Sequence, residues 1–219
     1  MKIDKAKTLL LLCASAGLPL WGASAAAGSA LAEPFAKALS PDGRNEIRLY
    51  ADPLRYEVRR DRAVMVEPTP VNLRVGGREL ASGSTRPLSI VARTSSGKLA
   101  TPVYKKSSID LAANGAFADF GDWGLALVAR DDGVAYRFEL KFPGKVRIDG
   151  ETAGVTLPSG EADCIAYYEQ SGNSGCEEAV SQGLAAKDIA CRRLYLPFVC
   201  ETDGGTVAVT ESDVCDYPI

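Results

Sequence analysis

Carboxylates, lysines, tyrosines and cysteines must carry any acid–base or metal chemistry in this chain, because its 219 residues include no histidine. That absence excludes Ser-His-Asp and Cys-His catalysis, His-ligated zinc and c-type haem together. One carboxylate stands out by position. In Thr206-Val207-Ala208-Val209-Thr210-Glu211 the apolar side chains are odd-numbered, so a strand that continues past Thr210 turns Glu211 to the face of Val207 and Val209. A charge entering a buried site needs a cation, a hydrogen-bond donor or a raised pKa. Asp213 and Asp216 follow closely and make an acidic cluster suited to a hard cation such as calcium. If the strand instead ends at Thr210, Glu211 turns to solvent.

The cysteines are the second reactive set. Cys164, Cys176, Cys191, Cys200 and Cys215 all fall in the last third of the chain, where two disulfides and one leftover thiol are expected in an oxidising compartment. Spacing leaves the pairing open. No C-x-x-C pair occurs, which argues against a Cys₄ zinc site and against redox catalysis.

Residues 1–32 read as a secretory signal. Lys2, Lys5 and Lys7 form a positive start, Leu9 to Leu12 open an apolar stretch, and Ala23-Ser24-Ala25 and Ala30-Leu31-Ala32 offer cleavage sites. Gly17, Pro19 and Gly22 interrupt the apolar run, so a membrane span is disfavoured. Leu12 before Cys13 argues against lipid attachment. The expectation is export to the periplasm or the extracellular space, with no span in the mature chain.

Taking 32 residues from 219 leaves 187, enough for one domain (33–219) but not for a sandwich plus a (β/α)₈ barrel, which alone takes roughly 250 residues. Cleavage removes three of the 25 basic and one of the 28 acidic residues, leaving 22 against 27. Nucleic acid is therefore not an expected partner. Arg55, Arg59, Arg60 and Arg62 lie beside Glu57 and Asp61 and read as a solvated hairpin tip.

Positioning these groups falls to strands. Val134, Tyr136, Phe138 and Leu140 alternate with Ala135, Arg137, Glu139 and Lys141 after the turn Asp131-Asp132-Gly133, the period of a half-buried strand. Shorter alternations occur at Ile47/Leu49, Tyr56/Val58, Val64/Val66, Val71/Leu73/Val75, Leu125/Leu127, Val146/Ile148, Val155/Leu157 and Val207/Val209. About nine strands, punctuated by turns at Asp42-Gly43, Arg60-Asp61, Gly76-Gly77, Asp149-Gly150 and Asp203-Gly204-Gly205, predict an all-β antiparallel sandwich. One short helix is predicted near 177–190, from the capping pattern Ser174-x-x-Glu177 and the helix formers that follow.

Four stretches, in order, carry a family resemblance. They are Ser40-Pro41-Asp42-Gly43; Val66-Glu67-Pro68-Thr69-Pro70-Val71-Asn72-Leu73; Asp131-Asp132-Gly133-Val134-Ala135-Tyr136-Arg137-Phe138; and Leu196-Pro197 through Thr202-Asp203-Gly204-Gly205 to Thr210-Glu211-Ser212-Asp213-Val214-Cys215-Asp216-Tyr217. Over residues 38–219 the chain resembles the N-terminal domain of glycoside hydrolase family 97. The resemblance implies an exported α-glucosidase or α-galactosidase family with a β-supersandwich, a catalytic barrel and a C-terminal β-domain. It also implies that a glutamate matching Glu211 reaches the barrel's calcium site. The barrel is not in this sequence, so a truncated member without turnover of its own is expected. Calcium should bind it weakly or not at all, since calcium prefers six to eight oxygen ligands.

Two functions follow from different classes. One is a non-catalytic module that supports the barrel and completes its calcium site. The other is a free-standing exported sandwich that binds an α-linked oligosaccharide or a protein, for which Trp123, Tyr167 and Tyr168 are the candidate stacking residues.

Overall fold

The computed structural model describes residues 6–13, 33–83, 85–103, 105–158, 163–168, 181–185 and 194–212. In chain order its strands are β1 (Ala6–Cys13), β2 (Ala36–Leu39), β3 (Asn45–Tyr50), β4 (Arg55–Arg60), β5 (Ala63–Val75), β6 (Arg78–Glu79), β7 (Ser89–Ser95), β8 (Lys98–Ala100) and β9 (Ser108–Asp110). They continue as β10 (Ala113–Asp119), β11 (Trp123–Arg130), β12 (Gly133–Leu140), β13 (Ile148–Ala153), β14 (Asp163–Tyr168), β15 (Ser181–Ala185), β16 (Leu194–Thr202) and β17 (Gly205–Ser212).

The pairings are antiparallel and build two main layers. A nine-stranded sheet runs β15-β14-β16-β17-β1-β12-β11-β10-β7, and the smaller one runs β13-β5-β4-β3-β2. The all-β antiparallel sandwich expected from the alternation is what forms. The alternations at Ile47, Tyr56, Leu125, Val134 and Val207 each lie in a strand with the named residues buried.

Between the layers sits one core. Ala36, Ile47, Leu49, Tyr56, Val58 and Val66 of the small sheet meet Ala118, Leu125, Leu127, Val134, Tyr136, Phe138, Val207 and Val209 of the large one. Tyr56 and Tyr136 touch across the layers with ring centres 5.0 Å apart. The Tyr56 hydroxyl donates to the Gly154 carbonyl at 2.7 Å, and burial pushes its pKa up. Each fully buried aliphatic side chain contributes roughly 1.5–3 kcal/mol, so this interface dominates what holds the layers together.

Several sequence expectations are corrected. Far more strands form than the nine expected, because β7 is exposed on both faces and β10 (Ala-Asn-Gly-Ala-Phe-Ala-Asp) has one large apolar residue among mostly small ones, so neither shows a clear period of two. Val64/Val66 and Val71/Leu73/Val75 belong to one strand, β5, which runs through Pro68 and Pro70 with irregular register against β4. Val155 and Leu157 lie outside any strand. Asp149-Gly150 is an irregularity within β13, not a turn. Within the predicted helix 177–190, Ser181–Ala185 is strand β15, paired with β14. Gly183 weakens a helix there by about 1 kcal/mol, and β14 offers backbone partners. The rest of 177–190 lies outside the described residues.

The expected leader also contributes. Its segment β1 lies antiparallel between β12 and β17, pairing six residues on each side, Ala6↔Glu139 to Leu11↔Val134 and Thr8↔Ser212 to Cys13↔Val207. Removal of residues 1–32 takes that strand away from both neighbours.

Candidate functional site

The strand that carries Glu211 is positioned by its hairpin. Thr202 Oγ1 donates to the Gly205 carbonyl at 2.8 Å, and Gly205 has φ +130°, a conformation side chains disfavour. At Gly204 an added Cβ would stand 3.0 Å from the sulfur of Met65 on the opposite layer, so the turn is seated against β5. From there β16 and β17 pair Thr202↔Gly205 through Phe198↔Val209.

β17 runs on to Ser212, past Thr210. Val207 and Val209 are buried, and Glu211, next on that face, is half-buried, its backbone paired with Leu9. The continuing alternation, not the solvent turn, describes it. Asp213 and Asp216 lie outside the described residues. Among the described residues no cluster of three or more metal-ligating side chains occurs, and one carboxylate supplies at most two of the six to eight oxygens that calcium takes.

Cys164 and Cys200 form a disulfide between facing residues of β14 and β16, with Cα atoms 4.0 Å apart. Cys176, Cys191 and Cys215 lie outside the described residues. Of the stacking candidates, Trp123 is 2% exposed, lies 4.1 Å from Phe120 in a parallel stack and touches Phe138. It is a core residue and offers no platform to a sugar, because its faces are already covered. Tyr167 and Tyr168 pair through their backbones with Tyr195 and Leu194 of β16, and their side chains lie outside the described set.

Two of the other recurrent stretches meet across the layers, and the third ties β5 to the segment after β13 within the small sheet. The Asp42 amide donates to Asp131 Oδ1 at 2.9 Å, and buried Asn45 donates to the Arg130 and Asp131 carbonyls at 2.9 and 3.0 Å. Ser40 Oγ donates to Asp42 Oδ1, while the Asn45 amide donates to Ser40 Oγ. Ser40-Pro41-Asp42-Gly43 and Asp131-Asp132-Gly133 thus meet at one end of the sandwich. Thr69 Oγ1 donates to the Glu67 carbonyl and accepts from the Thr156 amide.

The solvated hairpin tip holds for Asp61 and Arg62, which are exposed, but is corrected at Glu57 and Arg60. Arg60 is buried and donates to Asn45 Oδ1 at 2.7 Å, and Glu57 is 1% exposed. Tyr50 donates to Glu57 Oε2 at 2.5 Å, and Arg59 reaches Oε1 at 2.8 Å. Burial first, then donation to Glu57, pushes the Tyr50 pKa up. Both oxygens of Glu57 are occupied, so this carboxylate is a structural tie. The alternation of Tyr56 and Val58 against Arg55, Glu57 and Arg59 is the signal that could have placed it on one face.

A cleft of about 320 Å³ lies on the outer face of the large sheet, over Gly115, Ala126 and Ala135 and walled by Arg93 and Arg137. An added Cβ at Gly115 would stand 2.5 Å from the Leu127 carbonyl oxygen, so that floor stays bare. Arg93 and Arg137 both reach Glu139 Oε1, at 2.9 and 3.0 Å. Burial works to raise the Glu139 pKa, but these hydrogen bonds outweigh it and hold the carboxyl below its usual range.

Comparisons with known proteins agree with this plan. The family model described as glycosyl-hydrolase 97 N-terminal matches residues 39–219. A retaining alpha-galactosidase from Bacteroides thetaiotaomicron is 28% identical over 192 residues, covering 82% of this chain and 29% of that protein. A probable retaining alpha-galactosidase from Streptomyces bingchenggensis is 27% identical and covers 80% of this chain and 27% of its own length. The chain therefore spans under a third of these relatives. Among solved structures, a glycoside hydrolase family 97 enzyme from Pseudoalteromonas sp. strain K8, in complex with acarbose, superposes with a TM-score of 0.63 at 15% identity. It covers 76% of this chain and 27% of that one. With the family model matched from Leu39 at the end of β2 to Ile219 and the sandwich shared with that structure, the chain belongs to the glycosyl-hydrolase 97 N-terminal family.

Proposed function

We propose that this chain is the non-catalytic β-sandwich module of an exported α-glycoside hydrolase, supporting a catalytic (β/α)₈ barrel and lending Glu211 to its calcium site. The observation that carries the reading is the continuation of β17 through Glu211, which keeps the carboxylate on the face of Val207 and Val209 and half-shielded from water. The two galactosidase relatives, each more than three times as long as the part matched here, support a larger enzyme around the module. In this reading the barrel, not the sandwich, supplies the two carboxylates that act on the glycosidic bond.

The test joins the chain to the remainder of the Bacteroides relative in place of that protein's own N-terminal part. Glu211→Ala in the hybrid should weaken calcium binding and α-galactosidase activity together, while the isolated chain binds calcium only at millimolar levels. A hybrid indifferent to Glu211→Ala, or micromolar calcium binding by the isolated chain, refutes the metal role.

A second reading, a sandwich that binds an α-linked oligosaccharide on its own, is favoured by the cleft over Gly115, whose volume accommodates a sugar ring. Titration with maltotriose tests it. Heat that vanishes in Arg137→Ala supports the cleft, and no heat at millimolar sugar rejects it.

A further inference from the structure

The strand at one end of the large sheet is built unlike the strands beside it. All seven residues of β7 are exposed, one of its edges pairs with β10, and no described strand pairs with the other. Exposed apolar side chains gather here and in the β8–β9 arm that follows. Leu88 (77%), Ile90, Val91, Leu99 and Val103 (86%) are five of the eight large apolar side chains exposed among the described residues.

Charge is segregated to the same stretch. From Leu80 to Ile109 the sequence carries Arg86, Arg93, Lys98, Lys105 and Lys106 and no acidic residue, whereas the rest of the chain has 20 basic against 28 acidic residues. Arg93 is engaged with Glu139 and lies 4.0 Å over the Phe117 ring. Arg86, Lys98, Lys105 and Lys106 make no ion pair with another described residue.

We propose that β7 and the β8–β9 arm form a docking edge for an extended, acidic polypeptide segment, which adds a strand along the free side of β7. Three properties of the edge select that occupant. Its open backbone demands hydrogen-bond partners, which the interior of a bilayer cannot supply. Its basic charge opposes pairing with a second copy of itself, since two such arms would meet like to like. Its apolar side chains alternate across the strand, with Ile90 on one face and Val91 on the other, and so offer contacts to a neighbouring strand on both faces. The one charge on this edge strand, Arg93, is engaged with Glu139, so β7 itself carries no free edge charge against aggregation. Nor would protection place Ile90 and Val91, exposed, in the middle of a seven-residue edge with no proline between Ser89 and Ser95. The proposal does not depend on Glu211 or on calcium.

The experiment uses the full chain and three probes. These are a nine-residue peptide alternating Val with Asp and Glu, the same peptide with Lys at every acidic position, and vesicles of phosphatidylglycerol. The acidic peptide should slow hydrogen exchange at backbone amides of β7 and leave those of β4 unchanged. Its binding should weaken at least tenfold between 50 and 500 mM salt. The triple variant Lys98→Glu/Lys105→Glu/Lys106→Glu should lose that binding while keeping the melting temperature of the parent chain, and Val91→Asp should weaken it in a chain with unchanged exchange at β4. Equal binding of the lysine peptide, binding to vesicles without binding to the acidic peptide, dimerisation through β7, or unprotected β7 amides in the presence of the acidic peptide would each overturn the proposal.

Discussion

The strands at the two extremes of the large sheet meet opposite surroundings. Toward one extreme β14 is flanked by β15 and β16 and joined to β16 by Cys164–Cys200, both cysteines fully buried. At the other, β7 is exposed on both faces, basic in its surroundings and unpaired among described strands on one side. Between them β11 and β12 carry the core. A sheet of this width leaves outer strands that the smaller sheet does not cover, and a strand without the opposing layer needs another source of order. The disulfide supplies it near one extreme by constraining the unfolded chain. At β7 the hydrogen bonds to β10 hold the strand, and no described strand pairs with its other side.

The largest effect should come from the centre. Leu125 is fully buried between the layers, so Leu125→Ala should cost about 2–5 kcal/mol in denaturant unfolding. A loss below about 1 kcal/mol would mean that the layers do not share this core. Next is the disulfide, which closes a separation of 36 residues. Cys164→Ser with Cys200→Ser should cost about 2–4 kcal/mol and raise hydrogen exchange in β14 and β16 while leaving β7 and β10 as before. Exchange rising equally at both extremes would erase the contrast drawn between them.

A smaller effect is expected on acidification. Glu139 lies below its ordinary pKa through Arg93 and Arg137, and Asp119 through its hydrogen bond with Lys141. A carboxylate whose folded pKa is lower than its unfolded one, which is about 4, stabilises the fold above that value and loses the contribution as pH falls through the folded pKa. Unfolding free energy should therefore fall below pH ~4. Glu139→Gln should cost about 1 kcal/mol at neutral pH, an estimate reduced because the arginines are partly solvated. The variant should also fall less steeply in acid, and an identical acid slope in variant and parent would remove Glu139 from the account. The smallest effect belongs to β7, where Val91→Thr should change stability by less than about 0.5 kcal/mol. A loss of 2 kcal/mol there would show that the edge is covered within the chain itself.

Much of the layer plan was legible in the sequence wherever one face of a strand is wet and the other dry. Val134-Ala135-Tyr136-Arg137-Phe138-Glu139 shows β12 directly, and Tyr56/Val58 and Val207/Val209 show β4 and β17, because burial imposes a period of two on residue choice. At Glu211 the same logic gave two outcomes, and the pairing of β17 with β1 through Ser212 decided between them. It failed where both faces see the same medium. β7 has two exposed faces and left no alternation. Ser181–Ala185 carries helix formers nearby, yet its backbone pairs with β14, a partner distant in sequence.

By itself, then, the sequence determined the antiparallel sandwich and the family, because alternation and short ordered motifs are local properties of the chain, while it left Glu211 open between the face of Val207 and Val209 and a turn to solvent. Only the tertiary structure decided that Cys164 meets Cys200, that Trp123 is sealed beneath Phe120, that Glu57 is saturated by Tyr50 and Arg59, and that β7, within the basic stretch, ends the large sheet with no described strand on its other side. Those outcomes depend on which strands become neighbours. Neighbours in a sheet are chosen by long-range burial and backbone pairing, which no short window of residues records.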